Sequence, residues 1–116
     1  KKRIIFLFNI MPNKKLTGLC TCPGEVHGKI KFYQEKCVKY TKEDIVILNQ
    51  WVTQNVTVLK NVGGLVSSTG GLTCHASIIA REFNIPCLVS VKGLEDLKEG
   101  AQVFLDAAAE ELEIYE

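Results

Sequence analysis

The sequence predicts an α/β fold, sheet-rich with one main helix, on three observations. Short apolar runs bounded by glycine, asparagine and aspartate recur along the chain, as strands separated by turns do. One segment instead spaces its apolar residues at i, i+3, i+4 and i+7 (Ala76, Ile79, Ala80, Phe83), the stripe of a half-buried helix. A length of 116 residues, 47% of them hydrophobic and 23% charged, suits one domain over 1–116 with a single core.

The elements follow in order. Arg3–Ile10 (RIIFLFNI) reads as an opening strand, and Leu16–Gly28 (LTGLCTCPGEVHG), dense in glycine and threonine, as a loop with tight turns. Gly28–Gln34 alternates apolar and polar residues as a half-buried strand, and Glu43–Leu48 is a short buried strand. Asn49–Asn61 mixes β-branched residues with helical spacing at Trp51, Asn55, Val58, Leu59 and Val62, and is read as a short helix. Gly63–Ser68 is a buried strand followed by the turn Ser68–Gly71.

From Thr73, a competent N-cap, the main helix runs to Asn84, which suits a left-handed residue past a helix end; Pro86 blocks continuation. Ile85–Val91 is a strand, Gly93–Gly100 a turn-rich bend, and Ala101–Asp106 and Glu111–Tyr115 the final strands.

A net charge of +1, with both signs interspersed, carries no footprint for nucleic acid or an anionic membrane. No apolar run approaches the roughly 20 residues of a membrane helix, and no cleavage site follows the first apolar stretch. Five cysteines, an odd number without a regular framework, point to free thiols in a reducing cytoplasm. The start at Lys1 leads to the expectation of a domain excised from a larger multidomain enzyme.

The stretch Gly70–Pro86, GGLTCHASIIAREFNIP, carries the chemistry. If Thr73 caps the helix, His75 sits in its first turn, where free backbone N–H groups and the helix dipole stabilise an anion. Gly70 and Gly71 leave no side chain in the way of a phosphate. The same positive end depresses the imidazole pKa and keeps a ring nitrogen nucleophilic near neutral pH. The alternatives are a merely hydrogen-bonded His75, a Cys74–His75 dyad, whose side chains would point about 100° apart on a helix, and a metal site from Cys20, Cys22, His27 and Cys74 without paired C-x-x-C spacing.

GGLTCHASIIAREFNIPCLVS resembles the active-histidine signature of the phosphoenolpyruvate-utilising enzymes, with Gly-Gly-X-Thr-X-His-Ala followed by Ile-Ile-Ala-Arg-Glu and Ile-Pro. Upstream, LTGLCTCPGEVHGKIKF is similar to the family's Gly-X-X-X-Ser-Pro-Gly-X-X-X-Gly segment. That resemblance implies a compact swivelling β/β/α phosphohistidine domain of a phosphotransferase of the dikinase type, inactive alone. His75 matches the phosphorylated histidine, and Thr73 a threonine that is a regulatory phosphorylation target in dikinases. Cys74 matches the Thr-Cys-His of the phosphoenolpyruvate synthase branch.

The partners so implied are an ATP-grasp nucleotide-binding domain, where Mg²⁺ and ATP bind, and a barrel domain holding phosphoenolpyruvate or pyruvate. No cofactor is expected in this domain. The chain departs from the pattern at Leu72 (arginine in synthases), Cys22 (serine), Asn84 (glycine), and in WVTQNV and DAAAEE. Those departures keep open a catalytically silent docking or regulatory module of the same fold.

Arg81 is a candidate phosphate contact or a salt-bridge partner, and Glu82 a solvated or partner-facing carboxylate. His27 reads as an exposed loop residue, Trp51 as core, and Cys37, Cys74 and Cys87 as small buried apolar groups.

Overall fold

The computed structural model describes residues 14–34, 39–48, 56–70 and 75–115, with the side chains of Val56 and His75 outside that description. The expected opening strand, Cys37 and the whole stretch 49–55, Trp51 included, lie outside it. The described elements are β1 (Lys14–Thr17), β2 (Leu19–Cys22), β3 (Glu25–Phe32), β4 (Asp44–Leu48), a 3₁₀ turn (Val56–Asn61), β5 (Gly64–Ser67), helix α1 (His75–Phe83), β6 (Cys87–Val89), a second 3₁₀ turn (Leu94–Asp96), β7 (Gln102–Asp106) and β8 (Glu111–Tyr115). Among the described residues the fold is sheet-rich, with one α-helix that starts at His75 as the sequence predicts.

The eight described strands form one sheet in the order β1-β8-β7-β3-β4-β5-β6-β2. The central run β3 to β6 is parallel. Parallel strands are covered on both faces and need crossovers, which explains why β4, β5 and β6 are buried at every position. β1 and β2 stand at opposite ends of the strand order yet are joined by Gly18 alone. The segment Lys14–Cys22 therefore runs along both margins and draws the sheet round on itself, β1 pairing with β8 and β2 with β6.

Leu16–Gly28, expected as a loop, is thus mostly strand: β1, β2 and the start of β3. Its glycines and threonines satisfy non-local pairing and close approach rather than turns. The strands are interrupted at Gly18 and at Pro23–Gly24, and a register shift between Cys20 and Cys22 bends β2. His27 is exposed as expected but lies in β3, its ring 5.0 Å from that of Phe104. The expected helix over 49–61 is, in its described part, the 3₁₀ turn Val56–Asn61.

Strand alternation sends side chains to two cores. Ile45, Ile47, Val66, Leu88, Leu105, Leu112 and Ile114 fill the inside of the curled sheet, capped by Val91, Leu94 and Leu97. Val46, Leu48, Leu65, Cys87 and Val89 face the other way, against Ala76, Ile79, Ala80 and Ile85. Phe83 packs partly on this second core, so the predicted helical stripe is the buried one. Burying Ile79 alone contributes about 2 kcal/mol.

The end of α1 follows its sequence. Asn84 takes φ 57°, and the Ile85 N–H donates to the Ala80 carbonyl at 2.9 Å, closing the last turn before Pro86. Asn84→Ala is expected to lower stability by about 1 kcal/mol because alanine resists a left-handed backbone, whereas Asn84→Gly stays within about 0.5 kcal/mol of the parent. Urea unfolding of the two variants checks this.

Among the described residues no helix is long and apolar enough to cross a membrane.

Candidate phosphohistidine site

The β5-to-α1 crossover builds the site. Strand β5 ends at Ser67, residues 68–70 follow on the surface, and α1 opens at His75. This junction sits at the carboxyl ends of parallel strands, where open α/β sheets bind ligands. The first-turn N–H groups of α1, beginning at His75, have no acceptor within the helix and carry its positive dipole end. Gly70 is described and adopts φ 100°, a backbone that only glycine takes readily. Gly71, Leu72, Thr73, Cys74 and the imidazole of His75 lie outside the described residues.

The turn before His75 is tied to the end of β6. The Ser90 N–H donates to the Thr69 carbonyl (3.3 Å), the Val91 N–H to the Ser67 carbonyl (3.0 Å), and the Ser90 hydroxyl to the Gly70 carbonyl (2.6 Å). Within the turn, the Thr69 N–H donates to Ser67 Oγ at 3.2 Å. Ser67, Thr69 and Ser90 carry no motif of their own, so sequence reasoning passed over them.

Ser90 also borders an open cavity of about 450 Å³ at the seam of the curled sheet, with Lys15, Thr17, Leu19 and Lys92 among its lining.

Arg81 and Glu82 are exposed in the last turn of α1. Six residues at 1.5 Å rise put Arg81 about 9 Å along the axis from His75. Its charge bears instead on the Cys22 thiol, which is buried in the helix-facing core and lies 3.9 Å from Asn84 Oδ1. Cys20 packs against the opposite core, so Cys20 and Cys22 do not converge. Among the described residues no group of three or more His, Cys, Asp or Glu could hold a metal ion.

Burial pushes both thiols above their ordinary value; the Glu110 carboxylate adds to the effect at Cys20, and Arg81 partly offsets it at Cys22. Each therefore carries less thiolate near neutral pH than free cysteine, and should alkylate with iodoacetamide more slowly than a model thiol. Arg81→Leu should slow Cys22 further, as read by peptide mass spectrometry over pH 7 to 9. An acid whose folded pKa is raised ionises first in the unfolded chain, so these two groups stabilise the fold at neutral pH. That contribution is lost as pH rises from the ordinary thiol pKa through the raised value of the folded chain.

A family model described as "PEP-utilising enzyme, mobile domain" matches residues 40–110. A probable phosphoenolpyruvate synthase of Archaeoglobus fulgidus is 34% identical over 94 residues, 78% of this chain and 12% of that protein. One from Methanothermobacter thermautotrophicus is 35% identical over 92 residues, 77% of this chain and 14% of that protein. The chain thus spans about an eighth of the length of these relatives.

Among solved structures, a chain of Thermococcus kodakaraensis aconitase X (holo-form) superposes with a TM-score of 0.68 at 17% identity, over 90% of this chain and 100% of that one. The N-terminal domain of Enzyme 1 - Nitrogen gives 0.51 at 17% identity, over 66% of this chain and 33% of that one. At such identities both likenesses concern the fold alone. The family match over more than half the chain, on a sheet whose helix opens at the motif histidine, shows that the chain belongs to the mobile domains of PEP-utilising enzymes.

Proposed function

We propose that this chain is the phosphocarrier domain of a phosphoenolpyruvate synthase-like dikinase, with His75 as the transient phosphate carrier. The observation that carries this reading is the position of His75: the first residue of α1, after a glycine-containing turn, at the carboxyl ends of the parallel strands. An unprotonated imidazole nitrogen attacks a phosphorus atom of ATP held with Mg²⁺ in an ATP-grasp domain. The N–P bond forms as the P–O bond to the leaving phosphate chain breaks, and the leaving oxygen keeps the electron pair. In a barrel domain pyruvate loses a methyl proton, its enolate oxygen forms the O–P bond as the N–P bond breaks, and the imidazole nitrogen recovers its electron pair.

Gly70 and Gly71 give the group room beside backbone amides, Thr73 caps the helix and orients the ring, and the helix dipole favours the phosphorylated, negative state. Cys74 and Arg81 take no step of their own. ATP and Mg²⁺ belong to the partner domain, and the relay runs in the cytoplasm.

The test supplies ATP, Mg²⁺ and an ATP-binding domain of the family, then looks for an acid-labile, base-stable phosphate. The expected result is label mapping to His75. No label, where the same donor phosphorylates the A. fulgidus domain, would replace this reading with a docking or regulatory module of the same fold.

A further inference from the structure

Ser90 stands out because it holds φ 58°, a left-handed backbone that serine seldom takes, at the end of strand β6. Such a conformation persists only where surrounding contacts over-determine it. Here those contacts lead to one place. The Ser90 N–H holds the Thr69 carbonyl at 3.3 Å and its hydroxyl holds the Gly70 carbonyl at 2.6 Å. Two successive carbonyls of the turn before His75 are thus fixed by one residue.

A trans peptide points its C=O and N–H in opposite directions, and among the described residues no peptide bond is cis. Pinning the Thr69 carbonyl to Ser90 therefore aims the Gly70 N–H away from Ser90. We infer that Ser90 is a positioning residue: it fixes the Thr69 and Gly70 carbonyls so that the Gly70 amide is held in one arrangement for phosphoryl transfer. The Val91 N–H on the Ser67 carbonyl and Ser67 Oγ on the Thr69 N–H brace the same turn from its other end. Ser90 acts through Gly70 and does not touch the phosphate.

This inference rests on His75 being the carrier, and its test separates the two. Ser90→Ala removes the hydroxyl and keeps the strained backbone; Ser90→Gly removes the hydroxyl and relieves it. In the full-length protein, with ATP, Mg²⁺ and an ATP-binding domain of the family, both variants should form acid-labile phosphohistidine about tenfold to a hundredfold more slowly. The half-saturating concentration of the donor domain should stay within about twofold, since binding is not the step affected. Exchange of the Gly70 amide with solvent should quicken in both. Rates are compared at a temperature where all three proteins are fully folded.

If the parent is labelled and Ser90→Gly matches its rate, the positioning role is overturned while the carrier reading stands. If the parent takes no label although the A. fulgidus domain does, both fall together.

Discussion

His75→Ala should abolish acid-labile phosphorylation while leaving the domain folded. The expected loss is on the order of 10³-fold or more, at least about 4 kcal/mol of transition-state stabilisation, because the variant removes the atom that forms the N–P bond. Folding should survive, since the face that attaches α1 to the sheet is made by Ala76, Ile79 and Ala80, and alanine is the best helix former. Circular dichroism and urea unfolding supply the control, expected within about 1 kcal/mol of the parent. Thr73→Ala makes an informative companion. If Thr73 caps and orients, it should slow labelling by a smaller factor and destabilise the helix by about 1 kcal/mol. Full labelling of His75→Ala would move the carrier to another residue.

Some of this architecture is readable from short stretches of sequence and some is not, for a physical reason. Strands β4 and β5 are legible because burial on both faces demands an unbroken apolar run, and α1 because one buried stripe demands i, i+3, i+4 spacing. Asn84 is legible for the same reason of locality: the residue that ends a helix must tolerate the left-handed backbone by itself. The motif histidine belongs to this group, since its glycine turn and helix start are contiguous with it.

Leu16–Gly28 reads as a loop because the strands β1 and β2 it contains are specified by partners far along the chain, Glu111–Ile114 for β1 and Cys87–Val89 for β2. Nothing in Gly-Leu-Cys-Thr-Cys declares that pairing. Ser90 was invisible for a related reason: its left-handed backbone is imposed by Ser67, Thr69 and Gly70 across the strand ends, against serine's own preference. The chemistry of the site is therefore local and the scaffold that aims it is not.

Gly18 is where the non-local part can be broken. It joins the two margins of the sheet, and its N–H donates to the Glu110 carbonyl at 3.3 Å. A Cβ built there would lie 2.5 Å from Val91 Cγ2 and 2.6 Å from the Val89 carbonyl oxygen, inside any tolerable contact. The first obstacle is a side chain that can turn; the second is the backbone of β6, whose displacement would loosen the pairing with β2 and the approach to Ser90.

Gly18→Ala should therefore cost about 2–3 kcal/mol and Gly18→Val more, about 3–5 kcal/mol, by overpacking against a fixed strand. Gly100→Ala is the control: it has φ 91° and nothing within 4 Å of the new Cβ. It should lose only about 1 kcal/mol of backbone strain. Adding Val91→Ala to Gly18→Ala should recover part of the loss, with a coupling of about 1 kcal/mol, while the carbonyl clash remains. Urea midpoints of these variants, with Val91→Ala alone to close the cycle, read this directly. A Gly18→Ala protein as stable as the parent would mean that β1 and β2 do not close the sheet through this residue. The geometry that brings Ser90 beside the glycine turn would then need another source.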